Sequence, residues 1–180
     1  MLIWLNGPFG VGKTSVAREL VSRHSSLRLF DPESVGHMLR TNLPDGAAPD
    51  FQDLREWRTL VPRVASEVSN RTGHSLVAVQ SVLIEEYWAE LLAGLQRENL
   101  TPFTIVLDCH PDALRRRILD DEVERSAERW RLEHIDKYQL ARDWLLPRAD
   151  LVVDTTNLSV IEVSDLTWAW LAKSVSGSDR

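Results

Sequence analysis

Short apolar runs and helical apolar stripes alternate along the 180 residues of this chain. Leu2–Leu5 is an apolar run of strand length, and Val16, Ala17, Leu20 and Val21 then form one stripe of a helix from Thr14 to about His24. Leu27–Phe30 predicts a second strand, closed by Asp31-Pro32-Glu33, and 35–40 a short helix leading into the loop 43–49. The stretch 50–71 is mostly helical in pattern, with Phe51, Leu54, Trp57 and Val61 on one side. Pro62 inside it predicts two helices or a kink, and Gly73 a stop. Leu76–Val79 reads as a third strand, and Trp88, Leu91, Leu92 and Leu95 as an amphipathic helix. Phe103–Cys109 predicts the fourth strand and 113–118 the start of a helix, with a charge-dense stretch to about Arg131. Tyr138–Leu146 reads as a helix stopped by Pro147, and Leu151–Val153 as the fifth strand. After the turn Asp154-Thr155-Thr156-Asn157, Ser159 with Glu162 is a capping box opening a last helix, whose buried stripe is expected at Val163, Leu166, Thr167 and Trp170. The tail 174–180 is expected to fray.

Strands alternating with helices throughout imply an α/β fold with a parallel sheet and right-handed crossovers. No repeat, low-complexity tract or linker divides the chain, so residues 1–180 are expected to form one domain.

Between the first strand and the first helix stands Gly7-Pro8-Phe9-Gly10-Val11-Gly12-Lys13-Thr14, the full spacing of a phosphate-binding P-loop. Glycines let successive backbone N–H groups converge on phosphate oxygens. Lys13 brings a mobile charge to the outer phosphates, the Thr14 hydroxyl can ligate magnesium, and the following helix turns its positive end toward the same anion. A chance Gly-Lys-Thr is the alternative; the strand before and the helix after argue against it.

Composition narrows the partners. A net charge of −6 argues against a nucleic-acid-binding surface, while a phosphorylated small molecule needs only a local basic pocket. No apolar run reaches membrane-spanning length and no leader is legible, so a cytoplasmic location is the expectation. The single cysteine, Cys109, lies in an apolar run and reads as a buried small side chain. Seven tryptophans are many for this length; most read as core or interface anchors, with one or two left to stack on a flat ligand and room for a homodimer. The five histidines show no metal-ligand spacing.

Phosphoryl transfer needs positioning and charge compensation more than covalent chemistry. Asp31, placed beyond strand two beside the P-loop, is the first candidate to accept a proton from an attacking hydroxyl or to hold magnesium through water. Its structural alternative is to cap the helix that follows. Glu33 either joins it or balances that helix dipole, and Arg40 either grips an acceptor or neutralises the helix end. Trp57 with Arg58 offers an aromatic face and a planar cation for a flat base, or else a core tryptophan beside a solvated arginine. Arg115, Arg116, Arg117, Arg125, Arg129 and Arg131 crowd one acid-rich stretch. Most belong to a solvated face, and Arg117 and Arg125 are the two favoured to reach phosphates from a lid.

The P-loop, the acid after strand two, Leu39-Arg40, the arginine-rich stretch and the late Thr-Asn turn resemble the nucleotide and shikimate-type kinases. More specifically, Trp4-Leu5-Asn6-Gly7, Phe9-Gly10-x-Gly12-Lys13-Thr14, Asp31-Pro32-Glu33 and Asp50-Phe51-Gln52 with Trp57-Arg58 are similar to the tunicamycin resistance proteins, from residue 2 to about 165. The resemblance implies a P-loop NTPase fold with a five-stranded parallel sheet, an acceptor-binding helical region at about 34–72 and an arginine-rich lid at about 117–135. It implies binding of ATP with Mg2+, and protection against the uracil-nucleoside antibiotic tunicamycin by phosphorylating it or only binding it. Gly7, Phe9, Gly10, Val11, Gly12, Lys13, Thr14 and Ser15 would then meet ATP, with Thr14 and Asp31 at the metal and Thr155 to Asn157 beside adenine. Asp31 and Arg40 would lie toward the acceptor and Arg117 at the lid, and Glu33, Trp57, Arg58 and Gln80 join Asp31 and Arg40 as candidates for binding the acceptor. One departure is visible: Gln80-Ser81 follows strand three, where many nucleotide kinases carry an aspartate. Either Asp31 takes over the metal or the protein is chiefly a binder.

Overall fold

In the computed structural model, residues 1–44 and 48–176 are described. The expected loop at 43–49 therefore lies partly outside the described residues, as do the last four positions of the expected tail. Five parallel strands, β1 (Leu2–Asn6), β2 (Leu27–Phe30), β3 (Ser75–Val79), β4 (Pro102–Asp108) and β5 (Leu151–Asp154), form one sheet in the order β2-β3-β1-β4-β5. Seven α-helices among the described residues flank it: α1 (Lys13–Arg23), α2 (Pro32–Asn42), α3 (Arg55–Thr72), α4 (Glu85–Arg97), α5 (Pro111–Leu119), α6 (Glu128–Leu145) and α7 (Val160–Ser176).

β1 is the centre of the sheet and is fully buried along its length, which is why it reads as a continuous apolar run rather than an alternating one. Its side chains still divide by strand alternation. Ile3 and Leu5 join Val16, Ala17 and Leu20 of α1, Leu114 and Ile118 of α5, and Val163 and Leu171 of α7 in one core. Leu2 and Trp4 join Val35 and Leu39 of α2, Trp57 and Val61 of α3, and Trp88, Leu91 and Leu95 of α4 in the other. The chain turns to β3 on one side of β1 and to β4 on the other. The crevice at the carboxyl end of β1 is thus where an open α/β sheet binds its ligands.

Four expectations need correction. α3 runs through Pro62 as one helix and not as the two-helix alternative, the ring seated where a Cβ on Gly94 of α4 would come within 2.7 Å of Pro62 Cγ. α6 begins at Glu128, ten residues before the expected helix start; its first turns bury Ile135 and pack Leu132, but the charged Arg129, Arg131 and Glu133 between them mask that stripe in the sequence. In α7 the buried line is Val163, Ser164, Thr167 and Leu171, with Leu166 turned outward at 51% exposure. The same helix continues to Ser176, past the point where fraying was expected. The capping box forms as read, with Glu162 accepting from Ser159 N–H at 2.8 Å and Ser159 Oγ accepting from Glu162 N–H at 3.3 Å.

Candidate phosphate and acceptor site

The P-loop leaves β1 at Gly7, and two constraints meet there. Its φ of 135° lies in the left-handed half of the map, and a Cβ would sit 2.3 Å from the Leu107 carbonyl oxygen of β4. At Gly12 only the φ of 100° matters, since a Cβ there would meet nothing within 4 Å. Gly12 caps α1 with no side-chain acceptor, so α1 begins with amide groups that no side chain satisfies. Thr14 and Ser15 are exposed at that helix start. Uncapped amides at a positive dipole end, beside a magnesium-capable hydroxyl, fit a polyphosphate with its metal.

Lys13 is 8% exposed and folds back on the loop, its Nζ donating to the carbonyls of Pro8 at 2.7 Å and Gly7 at 3.1 Å. Burial pushes its pKa down to about 7; Glu33 opposes that shift and Arg131 adds to it. The lysine is thus an ammonium poised to lose its proton unless an anion arrives.

A chain of polar contacts holds the loop from behind. Asn6 Oδ1 accepts from Gly7 N–H at 2.8 Å and Val82 N–H at 3.0 Å, while its Nδ2 donates to the Val82 carbonyl at 3.1 Å. Gln52 Nε2 donates to the Ser81 carbonyl at 3.1 Å, and Arg58 donates to the Gln52 carbonyl at 2.5 Å. Arg58 is itself buried, paired with Glu90 at 2.8 Å and 4.2 Å above the Tyr87 ring. Neither Asn6 nor Gln52 stood among the sequence candidates. Asn6, directly before the P-loop, was the one with a readable signal: a polar residue closing a buried strand must find partners.

On the acceptor side the register Phe30↔Ala78 sets Asp31 next to the end of β3, so β3 stands between Asp31 and the P-loop strand. Asp31 caps α2, its carboxylate accepting from Glu33 N–H at 2.9 Å and Ser34 Oγ at 3.2 Å. Enclosure chiefly raises the Glu33 pKa; Asp31 adds to this, and His37 and Lys13 oppose it. Trp57 is completely buried, its indole N–H on the Pro32 carbonyl at 2.9 Å. It therefore props the Asp31–Glu33 turn and offers no ring face to a ligand, contrary to the stacking expectation. Arg40 lies in the last turn of α2, exposed, donating to the Pro49 carbonyl at 2.9 Å with the Phe51 ring 5.5 Å away. Gln80 is 2% exposed at the exit of β3.

The arginines separate sharply. Arg117 stands on α5 rather than on a lid, and donates to Thr155 Oγ1 at 3.0 Å, to the carbonyls of Thr155 and Thr156, and to the Val11 carbonyl at 3.5 Å. It ties the β5 exit to the P-loop, bringing Thr155 and Arg117 together while Asn157 stays exposed. Arg125 lies in the exposed 3-10 turn Arg125–Ala127, 3.5 Å from Glu122. Arg131 of α6 is the one enclosed against the P-loop: a Cβ on Gly10 would come 3.1 Å from its guanidinium. Asp121 at 2.9 Å and Glu124 at 3.5 Å pair with it. Its sequence position marked it only as one of six crowded arginines. Phe9 meets the same helix, its ring 4.5 Å from Trp130 and 5.4 Å from His134.

Residues 3–136 match the sequence profile of the AAA_18 family, an AAA domain. No curated protein matches the sequence. The solved structure of the Deinococcus radiodurans tunicamycin resistance protein is 26% identical to this chain, with a TM-score of 0.71 and 94% of each chain covered. A Bacteroides thetaiotaomicron shikimate kinase shares 17% identity at a TM-score of 0.62, with 96% of this chain and 98% of that one covered. A Mycobacterium tuberculosis APS kinase, solved in complex with AMPPNP and APS, shares 20% at 0.63, with 95% and 96% covered. The chain has the P-loop kinase-like fold, and its resemblance to the tunicamycin resistance proteins holds in three dimensions as well as in sequence.

Proposed function

Because the chain belongs to the AAA_18 family of AAA domains and carries a kinase-like crevice, we propose that it is an ATP-dependent small-molecule kinase acting on a nucleoside-like antibiotic such as tunicamycin. The observation that carries this reading is the convergence on one loop of an uncapped helix start, a buried lysine and the enclosed Arg131. When bound, ATP-magnesium supplies the transferable phosphoryl group. The amides of the P-loop and α1 would hold its phosphates, Thr14 would offer the hydroxyl for the metal, and the Thr155–Asn157 turn would lie toward adenine. Lys13 and Arg131 supply positive charge where negative charge spreads in transfer. Asp31 and Glu33 face the acceptor, and the carboxylate that receives the hydroxyl proton is one of these two.

A second reading, ATP-gated sequestration without transfer, has its own support: β3 ends in uncharged Gln80-Ser81, and both Asp31 oxygens are already engaged as a helix cap. Incubation with γ-labelled ATP, Mg2+ and tunicamycin or plain nucleosides separates the two. The kinase reading expects a labelled acceptor, with the yield falling at least tenfold in Asp31→Asn or Glu33→Gln. Stoichiometric ligand binding with no labelled product supports sequestration.

A further inference from the structure

Gln80 is 2% exposed, and its Oε1 is buried without a hydrogen-bond partner among the described residues. The backbone on which it stands is fixed from both sides. Its N–H donates to the Leu5 carbonyl at 3.2 Å, and its own carbonyl accepts from Trp4 Nε1 at 3.3 Å. Neighbouring polar groups are accounted for: Ser81 Oγ donates to the Gly7 carbonyl, and the Val82 backbone is taken by Asn6. It is one of six such buried atoms among the described residues and the one that stands at the carboxyl end of β3, beside the crevice, where a ligand that donates to it would remove the penalty.

The side of the sheet says which half of the crevice such a ligand would occupy. Strand alternation places Gln80 with Ala78, which packs in the core beneath α2, α3 and α4. The buried side chains of α1 lie on the opposite face with Ile3, Leu5 and Val77. Gln80 therefore belongs to the acceptor half of the crevice rather than to the phosphate half, one residue beyond the level at which Asp31 leaves β2.

Resting on the kinase-like reading of this crevice, we infer that Gln80 is the specificity-determining residue of the acceptor site and takes a cyclic amide or imide edge. A carboxamide sets an acceptor oxygen beside a donor NH2, and its complement is a ring N–H beside a ring carbonyl. The same position explains why an uncharged residue ends β3: a carboxylate there would repel that carbonyl, and its second oxygen would lack a donor. A buried polar group discriminates strongly against a ligand that leaves it unpaired.

Uridine presents such an edge, and N3-methyluridine blocks its N–H. Calorimetric titration of both into the wild type, Gln80→Met and Gln80→Glu, with ATP-Mg-induced melting shifts measured in parallel, tests the assignment. Wild type is expected to bind uridine at least tenfold more tightly than N3-methyluridine. Gln80→Met is expected to bind the two alike while keeping the full ATP shift, and Gln80→Glu to weaken uridine at least tenfold. Equal affinity of the wild type for both nucleosides, or no binding of either while ATP still shifts melting, overturns the assignment and leaves the kinase reading standing. Gln80→Met that keeps its discrimination, or that loses instead the magnesium dependence of ATP binding, also overturns it. An ATP shift missing from the wild type, with nucleoside discrimination intact, sinks the kinase reading and leaves Gln80 in its role.

Discussion

Ser81 Oγ donates to the Gly7 carbonyl at 2.7 Å across 74 residues of sequence, joining the exit of β3 to the first residue of the P-loop. Together with the Asn6 amide, which takes up Gly7 N–H and both backbone groups of Val82, this contact fixes the end of β3 against the P-loop. The two halves of the crevice are one rigid unit at their meeting point.

Asn6→Ala leaves the N–H groups of Gly7 and Val82 and the Val82 carbonyl without partners in a buried region. The expected loss is about 3 kcal/mol of folding stability, against about 1 kcal/mol for Ser81→Ala, which removes a single hydrogen bond. Urea unfolding monitored through the tryptophans measures both; equal, negligible losses would show that the clamp carries no stability.

Lys13 links nucleotide binding to protons. Its folded pKa is lowered to about 7 from 10.5, so between those values the unfolded chain holds one proton more than the folded one. The lysine's contribution to stability therefore rises with pH across that window, and below pH 7, where both states are protonated, its burial penalty stands in full. A bound polyphosphate restores the charge, so ATP binding at pH 8 should take up close to one proton. Titration in two buffers of different ionisation enthalpy reads that uptake, which should vanish in Lys13→Ala.

Arg131 and Arg125 are both arginines of the charge-dense stretch, yet only Arg131 is enclosed against Gly10. Arg131→Met should lower phosphoryl transfer on the order of 100-fold, whereas Arg125→Met should leave it within about twofold. Steady-state turnover of the two variants is the check; the reverse ranking would place the working cation on the exposed 3-10 turn.

The helix pair α3–α4 closes on Gly94, where a Cβ would approach Pro62 Cγ to 2.7 Å. Alanine there gains helix propensity but must push the proline aside, and a net loss of about 1 to 2 kcal/mol is expected in equilibrium unfolding.

What the sequence made legible follows from local chemistry. The glycine spacing and the apolar run before it identify the P-loop because both are local, and the Ser159–Glu162 cap is legible for the same reason. Trp57 and Arg58 were left between two readings because a motif of aromatic and cation says nothing about depth; Trp57 is the core tryptophan of the second reading, while Arg58 is neither free for a base nor solvated but braced between Glu90 and Gln52. Arg131 was hidden among its neighbours, since only the fold decides which turn of α6 meets Gly10. The insertion of β3 between β1 and β2, so that β2 pairs with β3 and not with the P-loop strand, is likewise a property of strand order that no local pattern encodes.

The central claim is that the loop from Gly7 to Thr14 wraps a polyphosphate. Thermal unfolding of the wild type and of Lys13→Ala, each with and without ATP-Mg at about 100 times the dissociation constant measured for the wild type, tests it most directly. The account predicts a stabilisation of about 2.7 kcal/mol for the wild type, seen as a clear rise in Tm, and little or none for Lys13→Ala. If no ATP affinity is measurable and millimolar ATP-Mg leaves the wild-type Tm unchanged, or if both proteins shift equally, the account is contradicted.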